Sequence, residues 1–309
     1  MNHPLFWVLF FLFIISMLAL DLRLHQRSPI ISVRKALLWS AIWIALAVAF
    51  AVVLYFWRGR AATLEFTAGY LIELSLSVDN LFIFLLIFRY FKVPSADQPR
   101  VLIWGIAGAI IMRGIFIVAG VGLLRKFEWL IYLFGAFLIY SGIRLLANPK
   151  SRARPKTSRL VRWFRQVFPV TDAYEDGRFF VRRDRLYATP LLLVLLLIEF
   201  TDLLFATDSI PAVLAITLNM LIVFTSNIFA ILGLRSMYFA LAGMMENFEY
   251  LHYGLSVILI LIGAKMAISR YYEIPTWIAL ITVACILLFA TVFPAILSRE
   301  DIKLTGNHQ

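Results

Sequence analysis

Nine stretches of this chain are long and apolar enough to cross a bilayer, and nothing else in the sequence restricts the fold as strongly. A spanning helix needs roughly 20 mostly apolar residues, because only an internally hydrogen-bonded segment survives in hydrocarbon. Such runs lie at 4–21, 36–57, 66–90, 101–124, 128–147, 188–216, 219–244, 253–269 and 275–298. The first has no basic leader and no small-residue cleavage signal, so it reads as a retained anchor. Of the 309 residues 62% are apolar and 15% charged, against about 25% charged in a soluble domain. The sequence therefore predicts an all-α integral membrane protein of about nine transmembrane helices and excludes a soluble globular enzyme.

The net charge of +11 is mostly a topology signal. Twenty Lys and Arg residues fall on one side of the predicted spans, eleven of them in the loop 148–187, and five on the other side. The positive-inside rule then puts the N-terminus outside and the C-terminus in the cytoplasm. No nucleic-acid motif accompanies the basic residues, so the bilayer, not nucleic acid, is the expected partner. Leu160, Trp163, Phe164 and Val167 recur at helical spacing among arginines, a pattern that suits a short interfacial helix.

Five carboxylates interrupt the apolar runs: Glu73 and Asp79 in the third, and Glu199, Asp202 and Asp208 in the sixth. Arg113, Arg144, Arg235 and Lys265 also fall inside predicted spans. A central charge costs about 2.5–3.5 kcal/mol on the insertion scale, so these groups must pair, bind a cation or line water. A structural ion-pair network would satisfy the same requirement. Five acids confined to two spans favour an ion pathway over that reading.

The charges also repeat. Asp79 follows Glu73 as Asp208 follows Asp202, and each pair is succeeded by two basic residues, Arg113 and Arg144 or Arg235 and Lys265. Three spans per block is an odd number, so the second block enters the membrane from the opposite side. An inverted repeat with charges near the midplane is the pattern of a secondary transporter. The chain accordingly divides into two peripheral helices (1–65), a first three-helix block (66–147), a basic cytoplasmic loop (148–187), a second block (188–270), and a final helix with a cytoplasmic tail (271–309).

Glu199 and Asp202 share a helix face, but Asp208 lies half a turn round. Pro211 removes a helical donor beside it. A broken sixth helix at Pro211 would bring the three acids together and free carbonyls for a cation. Ser75, Ser77 and Asn80 supply further oxygens in the third span. An all-oxygen donor set suits a hard cation such as Mn²⁺, Ca²⁺ or Mg²⁺. With one cysteine and four scattered histidines, a zinc or disulfide framework has no raw material. Arg113, Arg235 and Lys265 are the expected counter-charges, and of these only lysine titrates readily. No phosphate-binding loop or nucleophile–base set is present, so no enzyme activity and no permanently bound cofactor are expected.

GYLIELSLSVDN at 69–80, FFVRRDRLYATP at 179–190, EFTDLLFATDSIPA at 199–212, SNIFAILGLRSMYF at 226–239 and GAKM at 263–266 resemble the TerC family, nearest to its Alx branch. The likeness extends from about residue 6 to 298. It implies an inner-membrane protein of the lysine-exporter-like superfamily concerned with manganese export or homeostasis, with links to alkaline pH and tellurium resistance. By motif position, the family's acidic site corresponds to Glu73, Asp79, Asn80, Glu199, Asp202 and Asp208. Two functions compete. One is a secondary exporter of Mn²⁺, with Ca²⁺ the weaker candidate, coupled to protons. The other is a membrane scaffold or metal-delivery factor docking other membrane proteins through the loop 148–187.

Overall fold

A computed structural model of the chain describes residues 4–25, 32–127, 129–147, 168–175, 177–182, 186–242, 251–268, 275, 277–286 and 288–289. Each of the nine apolar runs contains helix among these residues. The helices are α1 (Pro4–His25), α2 (Val33–Arg58), α3 (Arg60–Tyr90), α4 (Gln98–Lys126) and α5 (Leu130–Ala147). They continue with α6 (Pro190–Leu214), α7 (Met220–Leu232), α8 (Leu234–Ala242), α9 (Leu251–Ile268) and α10 (Trp277–Ile286). Six of the described segments are long and apolar enough to cross a membrane, α7 and α8 together counting as one. The predicted interfacial helix at 160–167 lies outside the described residues.

Helix boundaries follow local chemistry. Gly59, at φ 85, turns α2 into α3 in a conformation that side-chain-bearing residues avoid. Pro99 and Pro190 sit in the first turns of α4 and α6, where a missing N–H costs nothing. With 31 residues, α3 would extend about 46 Å, longer than the hydrocarbon core.

One expectation about a helix break is corrected. α6 runs unbroken through Pro211 and ends at Leu214. The proline stands only one turn from the end, so it removes a single hydrogen bond where the helix is about to stop. The interruption falls instead in the seventh span, at Gly233 between α7 and α8. There the Gly233 carbonyl accepts from the Met237 N–H at 3.0 Å and from the Ser236 hydroxyl at 3.0 Å.

α3 packs on α7, α4 on α6, and α3 also crosses α6, while α5 and α9 form the most extensive pair. Backbone touches backbone in that last pair. A Cβ on Gly263 would lie 2.6 Å from the Gly135 carbonyl oxygen, and one on Gly142 would lie 2.7 Å from that of Ser256. Small residues permit such approach where lipid offers no hydrophobic drive. The 121-residue shift that carries Gly135 to Ser256 and Gly142 to Gly263 also carries Arg144 to Lys265.

The buried apolar residues form two cores. One holds Phe66 to Leu76 of α3, Ile117 to Leu124 of α4 and Ala206 to Leu214 of α6. The other holds Leu81 to Phe88, Val101 to Ile106 and Leu191 to Phe205 of the same helices. Between them runs a polar seam.

The described residues of the basic linker form a small clamp. Strands β1 (Phe180–Arg182) and β2 (Leu186–Ala188) pair antiparallel, an addition to the expected all-helical plan. The Tyr174 hydroxyl donates to the Phe91 carbonyl at 2.8 Å, and Arg100 donates to the Gly177 carbonyl at 2.5 Å. Burial, with the Asp97 carboxylate adding to it, pushes the Tyr174 phenol up from 10.0 to about 12.

Two outcomes are expected. Gly142→Ala should lower stability in detergent by about 1–3 kcal/mol through overpacking. Gly122→Ala, where a Cβ meets nothing within 4 Å, should change it by less than about 0.5 kcal/mol; thermal unfolding distinguishes them. Because the folded phenol holds its proton more tightly, Tyr174 stabilises fully below pH 10 and loses that contribution as pH rises toward 12. Alkaline unfolding of Tyr174→Phe should lack this component.

Candidate functional site

The seam between the two cores is built around one arginine. Arg113 projects from α4 and is 1% exposed, Glu73 of α3 is 0% exposed and Asp202 of α6 3%. The Arg113 Nε donates to Asp202 Oδ2 at 3.1 Å and its Nη2 donates to Oδ1 at 2.9 Å. The remaining Nη1 pairs with Glu73. This fork-to-carboxylate geometry is the strongest the side chain offers. One guanidinium thus serves two acids from two helices, so the triad holds one acid more than it holds bases.

The sequence positions these groups by simple periodicity. Along α4 the buried residues Leu102, Gly105, Ala109, Arg113, Ile117 and Gly120 recur every three or four positions, so Arg113 belongs to the inward stripe. Ile111, Ile115 and Val118 on the opposite face are exposed. A cavity of about 10 Å³ beside Asp202 is lined by Phe84, Gly105, Ile106, Ala109 and Ile198; such a volume admits about one water.

The other predicted ligands go to different places. Asp208 is 8% exposed and accepts from the Ser141 hydroxyl of α5 at 2.9 Å. The half-buried Glu199 lays its carboxylate directly over Gly108 of α4, where any side chain would run into it. Asn80 is 2% exposed, and its Nδ2 has no hydrogen-bond partner among the described residues. Asp79 belongs to α3, and its side chain lies outside the described residues. Arg235, 4% exposed, follows the Gly233 interruption by two residues. Lys265 is half-buried in the last turn of α9. Arg144 is exposed in the last turn of α5, so it is a helix-end cation rather than a mid-span charge.

The structure therefore brings Glu73, Arg113 and Asp202 together and sends Glu199 and Asp208 to separate neighbours. Among the described residues no three acidic, His or Cys groups converge as a metal cage.

Sequence reasoning missed Ser141, Gly108, Ser209 and Asn227. Ser209 and Asn227 are 1% exposed, with side-chain polar atoms that lack hydrogen-bond partners among the described residues. The run Thr225-Ser226-Asn227, three polar residues in an otherwise apolar helix, was the available signal for Asn227. A single serine such as Ser141 gives none.

Arg113→Leu should destabilise the fold by about 3–5 kcal/mol, because it strands two buried carboxylates. Replacing Glu73, Arg113 and Asp202 together by leucine should recover most of that loss, as denaturation midpoints in detergent would reveal.

Residues 58–301 match the model of the family described as integral membrane protein TerC. An uncharacterized membrane protein of Myxococcus xanthus, STKORF319, is 46% identical over 97% of this chain and 94% of its own length. A protein of Escherichia coli K12 named membrane-bound redox modulator Alx is 43% identical over 98% of each chain. Its namesake in Salmonella typhi is 46% identical over 90% of this chain and 89% of its own. No solved structure matches.

Proposed function

The chain belongs to the TerC family of integral membrane proteins, and from that premise we propose that it is a secondary transporter exporting a divalent cation, manganese foremost. The observation that carries this reading is the one guanidinium shared by Glu73 and Asp202. Two carboxylates from the two blocks leave a negative charge in low dielectric that a cation or a proton can balance. A bare structural pair would need only one acid.

Arg113 is the resting counter-charge. Movement of α4 against α3 and α6 withdraws it and opens the two carboxylates to the cation. Asp79, Asn80, Glu199 and Asp208 on the same helices complete an oxygen ligand set of the kind that hard divalent ions take. Arg235 and Lys265 balance charge as the ion leaves. Crowded acids share protons, so proton entry through them drives export.

The pairing of helices supports an inverted repeat. α3 on α7 and α4 on α6 exchange when the blocks are swapped, as do the contacts of Gly135 with Gly263 and Gly142 with Ser256. In this reading the chain is a carrier and not an enzyme. It sits in the bacterial plasma membrane with its N-terminus outside. The Alx relatives are named for redox modulation. Here the single cysteine, Cys285, stands exposed on α10, with no second thiol in the chain to pair with, so a redox influence runs through the metal it moves.

The test is divalent-ion flux into proteoliposomes under a set proton gradient, with Mn²⁺, Ca²⁺, Mg²⁺ and Zn²⁺ compared. Wild type should carry Mn²⁺, and Asp202→Asn or Asp208→Asn should slow it about tenfold or more, equivalent to at least about 1.4 kcal/mol in barrier height. Equal flux in these variants, or none in wild type, would overturn the proposal.

A further inference from the structure

Separately from transport, we infer that the hairpin of β1 and β2 is a membrane-docking face, holding Phe180 and Leu186 among anionic lipid headgroups alongside α4. The strand register pairs Arg182 with Leu186 and Phe180 with Ala188, and directly opposed residues share a face of a two-stranded ribbon. Phe180 is 50% and Leu186 60% exposed, so this face turns its large apolar groups outward. Arg178 and Arg182 are exposed with them. That combination is suited to the membrane interface, where an arginine stem lies in the apolar layer and its head reaches phosphate.

What covers the face is indicated by its neighbours. Trp104 of α4 is 58% exposed and its ring meets Phe179 edge-on at 6.4 Å. Trp104 begins the outward stripe that continues through Ile111, Ile115 and Val118, the lipid-facing side of a spanning helix. It lies six residues from the start of α4, at the helix end where tryptophans form interfacial belts. The hairpin is therefore continuous with the exposed apolar face of α4. Its position is fixed by the bonds from Tyr174 to Phe91 and from Arg100 to Gly177. Among the described acids, Asp172 lies before the paired strands, Glu175 is half-buried, and Asp97 is half-buried beside Gly177 rather than on the outward face.

The experiment uses the full chain with Cys285→Ser, reconstituted in phosphatidylcholine vesicles containing phosphatidylglycerol. An environment-sensitive fluorophore is attached at Leu186→Cys, at Phe180→Cys, or at Asp172→Cys as a control off the face. The Leu186 and Phe180 labels should be blue-shifted and quenched several-fold more by lipids spin-labelled high on the acyl chain than by aqueous iodide. The Asp172 label should show the reverse. Arg182→Glu, or vesicles without phosphatidylglycerol, should reduce the lipid quenching. Iodide quenching at Leu186 and Phe180 equal to that at Asp172 would overturn the inference and leave the face to a protein partner. Lipid quenching insensitive both to Arg182→Glu and to headgroup charge would overturn the anionic assignment.

Discussion

The structure depends on a charge that cannot reach water. Arg113 is buried where an isolated guanidinium is strongly disfavoured, and it is tolerated because it forks onto Asp202 while pairing with Glu73. Those contacts join α3, α4 and α6, one helix of the second block to two of the first. Buried pairs of this kind seldom add stability over an apolar replacement. Their presence in a chain that is 62% apolar is the feature on which the proposed movement of a cation rests.

Around the triad the molecule separates what is rigid from what is poised. α5 and α9 meet backbone to backbone through glycine, and close contact of this sort leaves little freedom to slide. α6 is tied to that pair by Asp208 through Ser141. Both apolar cores are drawn from α3, α4 and α6, so a movement of α4 that withdraws Arg113 slides against both. The interruption at Gly233, two residues before Arg235, is where the seventh span departs from regular helix, next to the second buried guanidinium.

Much of this was legible in the sequence, because the signals were long-range in composition and short-range in geometry. Twenty-residue apolar runs can only be spans, and charges inside them can only be paired or functional; Glu73, Arg113 and Asp202 were all visible on that ground. The break expected at Pro211 was not found. A proline one turn from a helix end removes a bond the helix was about to lose, and distance to the end is what sequence fixes least well. Gly233 went unnoticed because glycine is common in membrane helices. Arg144 lies inside its predicted span but in the last turn of α5, a depth that the span's composition does not show. The clamp at 168–189 was hidden by its charge. FFVRRDRLY reads as a basic loop, and only the register of Phe180 with Ala188 reveals the strands.

The central claim is that Arg113 and a divalent cation compete for the same two carboxylates. Equilibrium binding of Mn²⁺ to the detergent-solubilised chain, read from the loss of free-ion paramagnetic resonance signal, tests this most directly. The account predicts saturable binding to wild type, tighter binding when Arg113→Gln removes the competitor in a variant that still elutes as a folded protein, and loss of binding in Glu73→Gln combined with Asp202→Asn. Undiminished binding in that double variant, or no tightening in Arg113→Gln, would contradict it.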